Sequence, residues 1–273
     1  FQGTLSFSPF AESGTWTVSR IYADDLVGNS ALLDTSILAG RGFPTTLDIT
    51  SSQSDTTPPE LTSVEFVPAS VDVSGGDQIV EIRIGAKDTE AGLGLSCCNS
   101  FILIRSPSEQ QRHYKYSYSW TLVSGDVYDG VWSTTINMPM FSEAGDWHVG
   151  HVTLEDAPGN RVTYFGATLD PLGLPTLPVV SSPEDTTSPQ ITGFSFSPTV
   201  INTSTSSQSV TVTIDATDDL SGVAFDSTDA FGHVGFRSPS GQQYRGICCR
   251  SLTLVSGTPL SGSWQGQISL LSG

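Results

Sequence analysis

Lysine is almost missing from this chain. Only Lys87 and Lys115 occur, and the 11 basic residues face 28 acidic ones. A net charge of −17 leaves no basic stripe to neutralise phosphate, so no nucleic-acid partner is expected. There is no run of about 18 apolar residues, so no helical membrane span is expected in this sequence. Cysteine is also sparse. The four that occur form two adjacent pairs, Cys97-Cys98 and Cys248-Cys249, and no Cys-x-x-Cys spacing exists to hold zinc. In an oxidising setting each pair is a candidate vicinal disulfide or cross-link to another chain; the alternative is partly buried free thiols. No nucleophile elbow is present, and no Ser or Cys has a suggestive His nearby in the sequence. No catalytic residue is assigned and no enzyme is expected.

What the chain does have is a long internal repeat. Asp55-Thr-Thr-Pro-Pro-Glu-Leu61 returns as Asp185-Thr-Thr-Ser-Pro-Gln-Ile191, Gly14-Thr-Trp-Thr-Val18 as Gly145-Asp-Trp-His-Val149, and Arg105-Ser-Pro-Ser108 as Arg237-Ser-Pro-Ser240. The offsets are 185 − 55 = 130, 147 − 16 = 131 and 237 − 105 = 132, a period of about 131 residues. That is too long for a solenoid repeat and suits one whole domain. The expected division is the back part of one unit (1–54), a complete unit with its linker (55–184) and the front part of another (185–273). Either the sequence is a window on a longer array, or the two partial units complete each other. Such completion would be most natural between molecules, head to tail.

The complete unit reads as short strands separated by turns. The expected strands are Leu61–Val67, Gln78–Ala86, Phe101–Ser106, Arg112–Val123, Val131–Asn137, Trp147–Leu154 and Arg161–Leu169. Val80, Ile82 and Ile84 alternate with Glu81 and Arg83, the period of a half-buried strand. Tyr114, Tyr116 and Tyr118 alternate with His113, Lys115 and Ser117 and give one aromatic face. Ser106–Gln111 and Ser238–Gln243 read as hairpin turns, and Thr168–Asp185 as a stiff extended connector. No segment has a helical period. Trp16, Trp147, Trp132 and Trp264 fall at repeated positions and are assigned to the core. The fold class is all-β, with tandem seven-stranded sandwiches.

Asp-Thr-Thr-x-Pro at the junctions, Ala216-Thr-Asp-Asp-Leu-Ser-Gly-Val223 and Glu155-Asp-Ala-Pro-Gly-Asn160 resemble bacterial immunoglobulin-like repeats. The resemblance covers essentially the whole chain. It implies an extracellular or cell-surface protein, one that builds a fibre, stalk or adhesin arm. The partners it implies are copies of the chain, arranged head to tail or laterally, and surface glycans or proteins. The alternative reading is a carbohydrate- or ligand-binding accessory module of a secreted enzyme or adhesin.

Alternating strand directions bring the start of the unit, the second-to-third strand loop and the sixth-to-seventh strand loop to one end. These carry Asp55, then Asp88 and Glu90, then Glu155, Asp156 and Asn160. The matching residues of the next unit are Asp185, Asp218 and Asp219, and those of the first partial unit are Asp24, Asp25 and Asn29. Converging carboxylate and amide oxygens suit Ca²⁺. The alternative is ordinary turn chemistry, with Asp capping backbone amides and Gly and Asn supplying left-handed positions.

Overall fold

A computed structural model describes residues 2–94, 99–225, 233–248 and 251–271. The chain forms two compact units, Phe1–Trp16 with Asp48–Thr186, and Thr17–Leu47 with Thr187–Gly273. The first 50 residues hold short strands β1 (Gly14–Thr17), β2 (Arg20–Asp24), β3 (Ser30–Asp34) and β4 (Thr46–Ile49), and one six-residue helix, α1 (Thr35–Gly40). The helix has no amphipathic period long enough to announce it. It is started by Asp34, whose side chain accepts the Ile37 N–H at 2.9 Å, and it buries only Leu38.

The ten strands that follow are β5 (Glu60–Val67), β6 (Val71–Asp72), β7 (Gln78–Lys87), β8 (Phe101–Arg105), β9 (Arg112–Tyr116), β10 (Thr121–Gly125), β11 (Asp129–Met138), β12 (Gly145–Glu155), β13 (Arg161–Phe165) and β14 (Leu177–Val180). One sheet runs β10-β11-β7-β5; the other runs β6-β14-β12-β8-β9, with β13 added on β12. The two sheets enclose one core. Val80, Ile82, Ile84, Trp132 and Ile136 come from the first sheet, and Ile102, Ile104, Trp147, Val152, Leu154, Leu177 and Val179 from the second. The alternation read from the sequence holds: Val80, Ile82 and Ile84 are fully buried, while Glu81 and Arg83 pair with each other on the outer face at 3.1 Å.

Two expectations need correction. Arg112–Val123 is not one strand, because a 3-10 turn at Ser117–Ser119 separates β9 from β10 and passes the chain from one sheet to the other. Thr168–Asp185 is not a free connector. It contains β14, which pairs antiparallel with β12 and parallel with β6. Leu177 and Val179 alternate inward there, and the proline between them at 178 hid the strand.

Among the described residues, six strands lie in the C-terminal part: β15 (Gln190–Ser197), β16 (Gln208–Thr217), β17 (His233–Arg237), β18 (Tyr244–Cys248), β19 (Thr253–Thr258) and β20 (Ser261–Leu270). They form a sheet β15-β16-β20-β19 and a separate hairpin β17-β18. This sheet repeats the first one pair for pair. Ile84↔Trp132 and Val80↔Ile136 match Ile214↔Trp264 and Val210↔Ile268. The bulges recur as well, between Leu61 and Ser63 and between Ile191 and Gly193, and again between Leu122 and Ser124 and between Leu254 and Ser256. A bulge inserts one unpaired residue and redirects the strand, so the same local geometry is specified twice.

Trp147 is fully buried at the start of β12. Its indole N–H donates to the Glu143 carbonyl at 2.8 Å, so burial leaves no polar group unpaired. Trp147→Ala is expected to cost about 3–5 kcal/mol, read as a lowered denaturant midpoint, whereas Tyr118→Ala, at a side chain 68% exposed, is expected to change stability by less than about 0.5 kcal/mol.

Candidate metal centre

Three strand ends meet at one end of the first unit. Asp55 precedes β5, Asp88 follows β7 and Asp156 follows β12. Backbone bonds tie these loops together. The Asp88 N–H donates to Tyr128 O at 2.8 Å, Leu93 N–H to Val127 O at 2.9 Å, Gly94 N–H to Glu155 O at 2.9 Å and Ala157 N–H to Gly92 O at 3.0 Å. Leu93 and Asp156 also form an isolated antiparallel bridge. The Asp55 N–H donates to Phe10 O at 2.9 Å, which fixes the chain just before β5.

Each aspartate commits an oxygen to its own turn. Asp88 Oδ1 accepts the N–H groups of Ala91 and Gly92 at 2.9 and 2.8 Å. Gly92 takes φ of 76°, a conformation that favours glycine. Asp156 Oδ1 accepts from Gly159 and Asn160, both at 2.7 Å. Asp55 Oδ1 accepts the Thr57 N–H and hydroxyl, both at 2.8 Å. The turn chemistry expected of these residues is therefore present.

It does not use up the site. Asp55, Asp88 and Asp156 are 1%, 4% and 1% exposed, and each offers a carboxylate oxygen within 4.8 Å of the others. An ionised carboxylate only accepts hydrogen bonds, so none of the three can satisfy another. Among the described residues, Asp55 Oδ2 is buried without any hydrogen-bond partner. The exposed Glu90 carboxyl lies against Asp55. Carrying a proton, it bonds to Asp55, and this together with the charges of Asp55 and Asp88 pushes its pKa up; ionised, it only accepts and leaves the Asp55 oxygen without a donor. Burial is the main cause that raises the Asp156 pKa. The Asp55 charge adds to it, and the hydrogen bonds from Asn160 and Gly159 oppose it. The site concentrates negative charge in a place of low solvation. It can hold a proton or a hard cation, and its donors are all oxygen.

The other expected residues divide. The Asn160 amide nitrogen donates to Asp156 Oδ2 at 2.7 Å and to Asp55 O at 3.0 Å, so it braces the cluster. Glu155 points elsewhere, paired with Arg161 at 2.5 Å and accepting from Asn99 at 2.5 Å. Asp185 is buried in the first unit, where its N–H donates to Phe141 O at 2.8 Å and its carbonyl accepts from Gln111 Nε2 at 2.6 Å. In the second unit Asp218 Oδ1 accepts from Leu220 and Gly222 at 3.1 and 2.7 Å, and Asp219 accepts the Thr187 hydroxyl. Asp25 accepts from Val27 and Asn29 and its pKa is held low, chiefly by Asn29. Cys97, Cys98 and Cys249 and the Cys248 side chain lie outside the described residues, so the disulfide reading does too.

The sequence reading missed a second buried network. Glu143, 8% exposed, accepts from the Ser108 N–H and hydroxyl at 2.9 and 2.6 Å, and its own N–H donates to Gln111 Oε1 at 3.0 Å. The signal was the recurrence of Ser-Pro-Ser and Gln-Gln in both hairpin turns, which marks more than a loop.

No family model matches this sequence, and no curated protein matches it.

Proposed function

We propose that the chain is a non-catalytic structural repeat protein of the cell exterior, in which tandem immunoglobulin-like sandwiches build a surface fibre, stalk or adhesin arm. The observation that carries this reading is the duplicated sheet, β5-β7-β11-β10 and β15-β16-β20-β19, with matching pairs and bulges. The strand order supports the immunoglobulin-like assignment, including the short β6 laid parallel to β14 at one edge. Each sheet resists extension through its antiparallel ladders, and the acidic exterior keeps neighbouring copies soluble and apart.

Assembly by strand addition belongs to this proposal. Leu61, Val64 and Phe66 on β5 are buried, but Ile191, Phe194 and Phe196, at the same register on β15, are 59%, 53% and 37% exposed. In the second unit the turn between β2 and β3 meets the start of β18, with Gln243 donating to Asn29 at 2.9 Å and Arg245 to Leu26 O at 3.1 Å, while the β15 side chains stay open. In the complete sandwich the covering elements are β12 to β14. Residues 14–49 carry the same pattern, down to the Trp16 indole donating to Glu12 O at 2.8 Å, as Trp147 does to Glu143. We assign the β15 face to residues 14–49 of another copy.

A second reading is favoured by one surface. Tyr114, Tyr116 and Tyr118 stack along β9 and the turn after it, with centroids 6.2 and 6.0 Å apart and rings 12° and 13° from parallel. Phe101 and His151 extend the strip towards Phe165. A ribbon of flat rings, half-buried along β9 and exposed at Tyr118 and Phe165, suits the apolar faces of sugars, as in a glycan-binding accessory module.

Electron microscopy of native assemblies is expected to show filaments or arms with a regular spacing of one or two sandwiches, and discrete particles without such spacing would count against the structural reading. Sedimentation of the chain is expected to show head-to-tail association that grows with concentration and is lost in Phe194→Asp; a single monomeric species at high concentration would remove strand addition. On a glycan array, binding that disappears in Tyr116→Ala with an unchanged melting temperature is the outcome expected of the accessory-module reading.

A further inference from the structure

We propose that Asp55, Asp88 and Asp156 form a Ca²⁺ site that ties the segment before β5 to the loops after β7 and β12. This inference stands on the site's own geometry and does not depend on what the chain assembles into. Acidic clusters are common on a protein of this charge, so proximity of carboxylates carries little weight. Burial and the orphaned oxygen carry the argument. Three aspartates at most 4% exposed place carboxylate oxygens within 4.8 Å of one another. One of them, Asp55, keeps Oδ2 buried with no donor among the described residues. A buried ionised group is tolerated when it is paired or coordinates a metal. The other oxygen of that same carboxylate is satisfied by Thr57, so the turn accounts for half of the group and leaves the other half to a ligand.

The donor set selects the ion. Carboxylates without thiolate or imidazole favour a hard cation. Ca²⁺ takes six to eight oxygens in flexible geometry, whereas Mg²⁺ demands a tight octahedron and dehydrates reluctantly. The three aspartates come from three separate loops. Carboxylates on separate loops suit the flexible coordination of Ca²⁺ better than a tight octahedron. The loops are already stitched together by backbone bonds, so binding requires little reorganisation. The ion's structural effect falls on Asp55. Its N–H is held by Phe10 O while its carboxylate would be held by the ion, so occupancy fixes the chain at the point where it enters the sandwich.

The test is a titration of the chelator-stripped 273-residue chain with CaCl2 and with MgCl2, read by calorimetry and by melting temperature. The expected result is a single calcium site with a dissociation constant below about 1 mM, within the range of extracellular calcium modules. The melting temperature should rise with the logarithm of calcium concentration, and magnesium should act at least about tenfold more weakly. Asp55→Asn keeps the acceptor for Thr57 and removes one buried charge. It should fold with a calcium-free melting temperature at or above that of the parent, yet lose the calcium response, and Asp156→Asn should weaken calcium binding at least about tenfold. Asp146→Asn, at an exposed position on β12, should respond as the parent does. A flat titration up to about 10 mM calcium, an equal response to magnesium, or a calcium response that survives in both Asp55→Asn and Asp156→Asn would overturn the assignment.

Discussion

The first unit depends on β12. Three strands pair with it: β8 along residues 148–153, β13 along 151–155 and β14 along 145–147. Its inward residues Trp147, Val149, Val152 and Leu154 supply much of one wall of the core. Every backbone donor and acceptor buried between two sheets must find a partner, and a central strand meets that demand on both edges. The position of Trp147 then follows from its size and from its single N–H, which reaches Glu143 O without leaving the core.

The acidic centre hangs from the same framework. Asp156 is the residue after β12 and Asp88 the residue after β7, so each sheet contributes one aspartate-bearing loop. Backbone bonds then hold the loop after β7 against residues 127 and 128 on one side and against the loop after β12 on the other. The charge of the centre is thus positioned by neutral ladders, and the ladders oppose the mutual repulsion of the carboxylates. Repulsion in a poorly solvated place favours a bound proton or cation. This explains why raised carboxyl pKa values occur here, while exposed aspartates are pushed down, Asp25, Asp34 and Asp72 by bonds from residues two to four positions on and Asp77 by bonds from Asn137 and Met140.

The contrast between β5 and β15 shows how burial depends on the partner sheet. Both strands have the same pairs and the same bulge, and the hydrophobic pattern is equivalent. Leu61, Val64 and Phe66 lie under the second sheet, whereas Ile191, Phe194 and Phe196 are open. A strand's ladder is made with its neighbours in the sheet, but its apolar face is satisfied only by another layer.

The sequence alone determined the all-β character, most strand positions and the repeated sheet, because period-two alternation in segments such as Val80–Ile84 and turn chemistry in segments such as Ser106–Gln111 act over a few residues. It also named Asp55, Asp88 and Asp156, since alternating strand directions send particular loops to one end. Only the tertiary structure decided which carboxylates meet. Glu155, adjacent to Asp156, turns to Arg161 and Asn99 because successive residues on a strand point to opposite faces. The strand at Leu177–Val180 was likewise invisible, since Pro178 suppresses the local signal and only the edges of β12 and β6 give the segment its partners. The orphaned oxygen of Asp55 has no local signature, because burial is set by loops more than 30 and 100 residues away in sequence.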